Sequence, residues 1–116
     1  MLTFLCYPKC TTCQKAQKWL DARGAQYTLR DMKADKPTLE ELTAWYKKSG
    51  LPLKKFFNTS GLLYKSMELK TKLSSMSEDE MLALLATDGM LVKRPLLIGE
   101  DFVLVGFKDT VWEGTV

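Results

Sequence analysis

Cys10-Thr11-Thr12-Cys13 is the stretch whose residue types and spacing support covalent chemistry. Two thiols three positions apart sit one helical turn from each other. Cys10 can then attack an oxidised partner and Cys13 can release it, leaving a Cys10–Cys13 disulfide. The nucleophile is the thiolate, and a helix N-terminus favours that form through its free N–H groups and partial positive charge. Lys9 adds a neighbouring cation, screened by water where it is exposed. Thr11 and Thr12, in the first turn, join Lys9 as residues expected to steady the thiolate or hold a substrate.

Half a zinc site is the competing use of Cys-x-x-Cys. A closed structural site needs four ligands. This chain has no histidine, and its third cysteine, Cys6, falls inside the first strand. No metal is expected. Cys6 reads as a buried small hydrophobe, with a regulatory disulfide as its other use. Lys93-Arg94-Pro95 is the second feature. Proline cannot donate to a sheet ladder and belongs at a strand's first residue, so the triplet can be a plain strand start. If the Arg94-Pro95 peptide is cis, Arg94 becomes instead a fixed cation for an oxyanion or for the Cys10 thiolate. Its planar fork suits two oxygens at once.

The elements that must position these residues follow from pattern. Leu2 to Cys6 is a short apolar run ended by Tyr7-Pro8-Lys9, which predicts a buried, parallel strand. Thr11 to Arg23 carries Ala16, Trp19 and Leu20 at helical spacing, with Gly24 as the stop. Gln26 to Arg30 reads as a second strand, completing a βαβ unit with a right-handed crossover. Thr38-Leu39-Glu40-Glu41 and Ser77-Glu78-Asp79-Glu80 are capping boxes. The first opens a helix to about Lys48, ended by Ser49-Gly50; the second opens one that stops at Asp88-Gly89. Between them, Lys54 to Ser60 predicts a short helix and a turn. Leu96-Leu97-Ile98 and Phe102 to Val105 flank Gly99-Glu100-Asp101 as a hairpin, and Lys108 to Trp112 reads as a short terminal helix. The sum is an α/β fold with a mixed four-stranded sheet: β-α-β, a helical insert over about 37–90, then β-β-α. The order resembles that of thioredoxin. Residues 1–116 read as a single domain.

Composition narrows the function classes. The net charge of +3 is mild, and the lysines are spread along the chain rather than clustered as a nucleic-acid footprint would be. The start, Met1-Leu2-Thr3-Phe4-Leu5, lacks the pattern of a secretory signal. Apolar runs fall far short of the ~20 residues that span a bilayer. Three cysteines bunched between positions 6 and 13 are no secreted disulfide framework. A cytoplasmic monomer is expected. Trp19, Trp45 and Trp112 read as core anchors. Met67, Met76, Met81 and Met90 read as gap-fillers, and Glu40-Glu41 as charges that suit a helix start.

At these residues the chain resembles the ArsC/Spx family of thioredoxin-like proteins. Three stretches carry the likeness: Tyr7 through Ala16, Phe57-Asn58-Thr59-Ser60-Gly61, and Leu91 through Gly99, with Val105-Gly106-Phe107 beyond them. The resemblance implies a cis Pro95 facing the cysteines, Arg94 beside the nucleophile Cys10, and Asn58 at the substrate side. Arsenate reductases of the family use further arginines, where this chain has Asn58 and Phe107-Lys108. Among its arginines, Arg23, Arg30 and Arg94, only Arg94 is then available to an oxyanion. Spx-like regulators use the same cysteine pair as a redox switch and dock on the RNA polymerase alpha subunit, with Gly50 near the part of the insert they apply. The pattern Asn58-Thr59-Ser60-Gly61 resembles most the poorly characterised reductase-like branch. The resemblance thus implies a thiol-dependent, arsenate reductase-like oxidoreductase with glutathione, glutaredoxin or thioredoxin as electron donor. Its alternative is the redox-switched regulator.

Overall fold

A computed structural model describes residues 2–116. Strand β1 (Leu2–Cys6) leads through a turn into α1 (Thr11–Ala22), and the chain returns as β2 (Tyr27–Asp31). The insert comprises α2 (Leu39–Ser49), a 3-10 turn at Leu53–Phe56, α3 (Leu62–Ser66), α4 (Leu69–Lys72) and α5 (Glu78–Leu85). After a further 3-10 turn at Gly89–Leu91, β3 (Leu96–Ile98) and β4 (Val103–Val105) form a hairpin, and α6 (Asp109–Thr115) closes the chain. The sheet order is β2-β1-β3-β4. β1 runs parallel to β2 and antiparallel to β3, and β4 is antiparallel to β3. This is the α/β, mixed four-stranded architecture that the sequence predicts, and it recurs in the solved structures described below.

The alternation of side chains along β1 divides the core into two layers. Phe4 and Cys6 face α1 and α6, where they pack with Cys13, Ala16, Leu20, Leu97 and Trp112. Leu5, between them, faces the insert and packs with Met32, Leu42, Phe56, Leu85 and Leu96. The cross-strand pairs Phe4↔Leu97 and Leu5↔Leu96 carry the same division into β3. The thiols therefore belong to the α1/α6 layer.

Both capping boxes form: the Thr38 and Ser77 hydroxyls accept from the Glu41 and Glu80 N–H groups, and the two glutamates reach back to the cap N–H groups. Gly50 ends α2 in the left-handed conformation, φ 68°.

Some boundaries differ from those read off the sequence. β2 lies one residue later because its register with β1 ends at Cys6↔Asp31, where the Asp31 carboxylate accepts from the Lys33 and Ala34 N–H groups and turns the chain. α3 and α4 were absent from the pattern: each spans about one turn, too short for apolar spacing to reveal. α6 starts at Asp109, with Lys108 as its N-cap. Of the three tryptophans, Trp45 and Trp112 are buried, while Trp19 is half-buried beneath the Arg23 guanidinium, 4.0 Å from its ring. Glu41 does more than open a helix. Its carboxylate takes two hydrogen bonds from Arg30, at 2.6 and 2.9 Å, and ties α2 to β2. Among the described residues, no helix is long and apolar enough to cross a membrane.

Candidate active site

Cys10 is the N-cap residue of α1, with extended backbone (φ −85°, ψ 123°). The turn that presents it is pinned three ways. The Cys10 N–H donates to the Tyr7 carbonyl at 2.9 Å, the Gln14 amide donates to the Pro8 carbonyl at 2.9 Å, and the Tyr7 N–H donates to the Cys13 sulfur at 3.3 Å. The last bond locks the loop to the helix through the second cysteine. Cys13 is buried, Cys10 half-buried, and all three cysteines are free thiols.

The environments of the two thiols drive them apart. Burial pushes the Cys10 thiol up, but the Cys13 backbone N–H, the Arg94 side chain, the Cys13 thiol and the Thr12 N–H outweigh it. The net shift is below the ordinary thiol value. Burial pushes the Cys13 thiol up to about 12; the Tyr7 N–H opposes this, and the neighbouring Cys10 and Cys6 add to it. Cys6 is likewise raised, by burial first and then by Asp31 and Cys10. A thiolate on Cys10 beside a thiol on Cys13 is the state this arrangement favours.

Arg94 stands opposite, just before Pro95, and the Arg94-Pro95 peptide is cis. Its guanidinium carbon lies 5.3 Å from the centroid of the Tyr7 ring, and Nη1 donates to the Met90 sulfur at 3.6 Å. Its Nε is buried and has no partner among the described residues. Met90, read from sequence as a gap-filler, is thus a contact of the site's cation. Nothing in its spacing announces this, because Met90 and Arg94 are joined by a 3-10 turn and a strand entry rather than by one helix.

A cavity of about 470 Å³ opens on Cys10, lined also by Thr12, Asn58, Ser60, Gly61, Lys93, Arg94 and the segment Val105–Lys108. Asn58 is buried, and its N–H donates to the Leu91 carbonyl at 2.8 Å, which draws the insert against the approach to β3. Cys10, Thr12, Asn58 and Arg94 are therefore brought together. Pro95 is buried, and its carbonyl accepts from the Gly106 N–H at 2.8 Å. Lys9 and Thr11 are exposed and do not line the cavity. They belong to the outer side of the turn, whereas Lys93 and Lys108 supply the amines on the cavity wall. The other two arginines are engaged elsewhere: Arg23 with Glu113 at 2.8 Å and Arg30 with Glu41.

The sequence profile of the ArsC family matches residues 5–115. The chain is 55% identical over 112 residues to the uncharacterized protein YusI of Bacillus subtilis, covering 97% of this chain and 95% of that one. It is 26% identical to the global transcriptional regulator Spx 1 of Bacillus cereus, covering 94% of this chain and 82% of the regulator. Among solved structures, an ArsC family related protein from Bacteroides fragilis superposes with a TM-score of 0.95 at 58% identity, over 97% of this chain and 95% of that one. A protein from Streptococcus mutans, named as a possible arsenate reductase, does so with a TM-score of 0.91 at 44% identity, over 100% and 98%.

Proposed function

This chain belongs to the ArsC family, and from that premise we propose that it is a thiol-dependent, arsenate reductase-like oxidoreductase with Cys10 as nucleophile and Cys13 as resolving thiol. The observation that carries the reading is the asymmetry of the pair: an N-cap thiol held low at the mouth of a cavity, and a buried thiol held high behind it.

The chemistry follows from that asymmetry. The Cys10 thiolate attacks a sulfur of a disulfide substrate, forming a mixed disulfide and expelling the other sulfur as a thiolate. Cys10 then no longer carries charge, so one of the influences that hold the Cys13 proton in place disappears. Cys13 gives up its proton, attacks the Cys10 sulfur and expels the second substrate thiolate. The substrate has gained two electrons, and the protein holds a Cys10–Cys13 disulfide. Glutathione, glutaredoxin or thioredoxin returns those two electrons from outside. Arg94 stabilises the thiolate in the resting state, and its guanidinium lines the cavity an incoming oxyanion would enter. With Arg23 and Arg30 engaged elsewhere, an arsenate dianion would meet Arg94, Lys93 and Lys108 but no second guanidinium. That favours disulfide over arsenate as the better substrate.

A reductase assay tests the reading, offering arsenate and a small disulfide with each donor to the wild type, Cys10→Ser and Arg94→Ala. Turnover that Cys10→Ser abolishes supports it. A second reading rests on the likeness to Spx 1: the same pair would act as a redox switch on the RNA polymerase alpha subunit. Absence of turnover with every donor, together with capture of the polymerase by Cys10→Ser, would replace the first reading with the second.

A further inference from the structure

A second cleft, of about 580 Å³, adjoins the Cys10 cavity and shares Lys93, Val105, Gly106 and Lys108 with it. Its course follows β4: Val103, Leu104, Val105 and Gly106 all line it, in unbroken succession. Successive side chains of a strand point to opposite faces, so a cleft that meets consecutive residues meets the strand along its edge. β4 is the last strand of the sheet, and among the described residues it pairs with β3 and with no other strand. Such an edge presents a row of N–H and C=O groups able to take up another strand.

The walls of the cleft restrict what can enter. Lys54 and Lys55 stand on the insert side, and Lys93 and Lys108 stand where the cleft joins the Cys10 cavity. Among the described residues lining either space there is no carboxylate. Leu51 and Val111, both exposed, add apolar surface. Lysines on an edge strand commonly serve to repel other edges. Here they line a walled cleft that leads to a nucleophile, and their sign selects a ligand.

We propose that this cleft binds an extended acidic peptide segment, added antiparallel or parallel to β4 as a fifth strand, with acidic side chains against the four lysines. The main-chain bonds of strand addition supply affinity and the side-chain alternation supplies selectivity. An extended segment covering Val103–Val105 spans about 10 Å at ~3.3 Å per residue, and its next residues pass Gly106 to reach the Cys10 cavity. The substrate class is then a protein or peptide disulfide whose cysteine is flanked by acidic, extended sequence. This deepens the thiol-exchange reading and rests on it for the direction toward Cys10. The binding itself does not depend on that reading.

The test therefore uses the Cys10→Ser protein, so that thiol chemistry plays no part. A labelled peptide alternating Glu and Val is titrated by fluorescence anisotropy, beside a Lys/Val counterpart and a Glu/Val peptide N-methylated at alternate residues. Saturable binding of the acidic peptide is expected, weakening with salt. It should fall by about tenfold or more in Lys54→Glu/Lys55→Glu and be lost on N-methylation. Amide chemical-shift changes should centre on Val103–Val105. No binding, equal binding of the basic or the N-methylated peptide, or indifference to the double charge reversal would each overturn the proposal. The reversed lysines are exposed, and circular dichroism and Tm verify that the variant folds. Reduction of a small uncharged disulfide by Lys54→Glu/Lys55→Glu in the Cys10-containing protein should stay unchanged. Loss of that activity in the wild type would instead defeat the thiol-exchange reading alone.

Discussion

Arg94 donates a hydrogen bond to the sulfur of Met90, 3.6 Å away, while the same side chain helps hold the Cys10 thiol below its ordinary value. A thioether is a weak acceptor, so it steadies the guanidinium without drawing it off the thiolate. Replacing Met90 by Leu keeps the volume and removes the acceptor. The Cys10 thiol is expected to rise modestly, lowering its alkylation rate at neutral pH by about two- to fourfold with Tm changed by a few degrees at most. An alkylation rate against pH that superposes on the wild type would show that Met90 only fills space.

Arg94→Ala removes a partner of the Cys10 sulfur outright, and Arg94→Lys restores the charge without the fork. Both variants should raise the Cys10 thiol. The alanine variant is expected to lose severalfold in thiolate fraction at neutral pH. The lysine variant should fall between it and the wild type. Ultraviolet absorbance of the thiolate against pH measures this directly.

The Arg30 side chain, together with the Thr38 N–H and hydroxyl, holds the Glu41 carboxyl down to about 2 against burial. A carboxyl lowered on folding stabilises the protein above its unfolded value, and the contribution fades as pH falls through the folded value. The window here runs from about 4.5 down to about 2. Since Glu41 keeps about a third of its side chain in solvent, screening reduces the effect to about 1–2 kcal/mol. Glu41→Gln should cost that much at neutral pH and flatten the loss of stability across the window, as read by urea unfolding at a series of pH values.

Glu68 has φ 54°, in the left-handed region, where it serves as the N-cap of α4. A β-carbon there is strained by about 1–2 kcal/mol, partly offset by the unfolded-state entropy that glycine brings. Glu68→Gly is expected to stabilise the chain by about 0.5–1 kcal/mol. An unchanged or lowered denaturation midpoint would show that Glu68 makes a compensating contact.

Local chemistry explains what could be read in advance. β1 announces itself by an apolar run, α1 by its spacing and glycine stop, and α2 and α5 by capping boxes whose partners lie three residues apart. Cys10 and Cys13 are legible for the same reason, because a helix start follows from nearby residues. What escaped notice depends on contacts between distant or irregular segments. Arg30 meets Glu41 across the β2–α2 connection, and Met90 meets Arg94 around a 3-10 turn, and neither has a period to betray it. The amines of the cavity follow the same rule: Lys9 is adjacent in sequence but exposed on the outer turn, whereas Lys93 and Lys108 arrive through the sheet.

Gly106, at φ 75°, is gripped from two directions: its N–H by the Pro95 carbonyl, and its own carbonyl by the Trp112 indole at 3.2 Å. A β-carbon here would press on the Lys93 stem at 3.3 Å. With Lys93, Val105 and Lys108, Gly106 forms the wall common to the thiol's chamber and the lysine channel, tethered on one flank to the Pro95 carbonyl and on the other to the final helix. A side chain introduced at Gly106 would therefore alter both compartments at once.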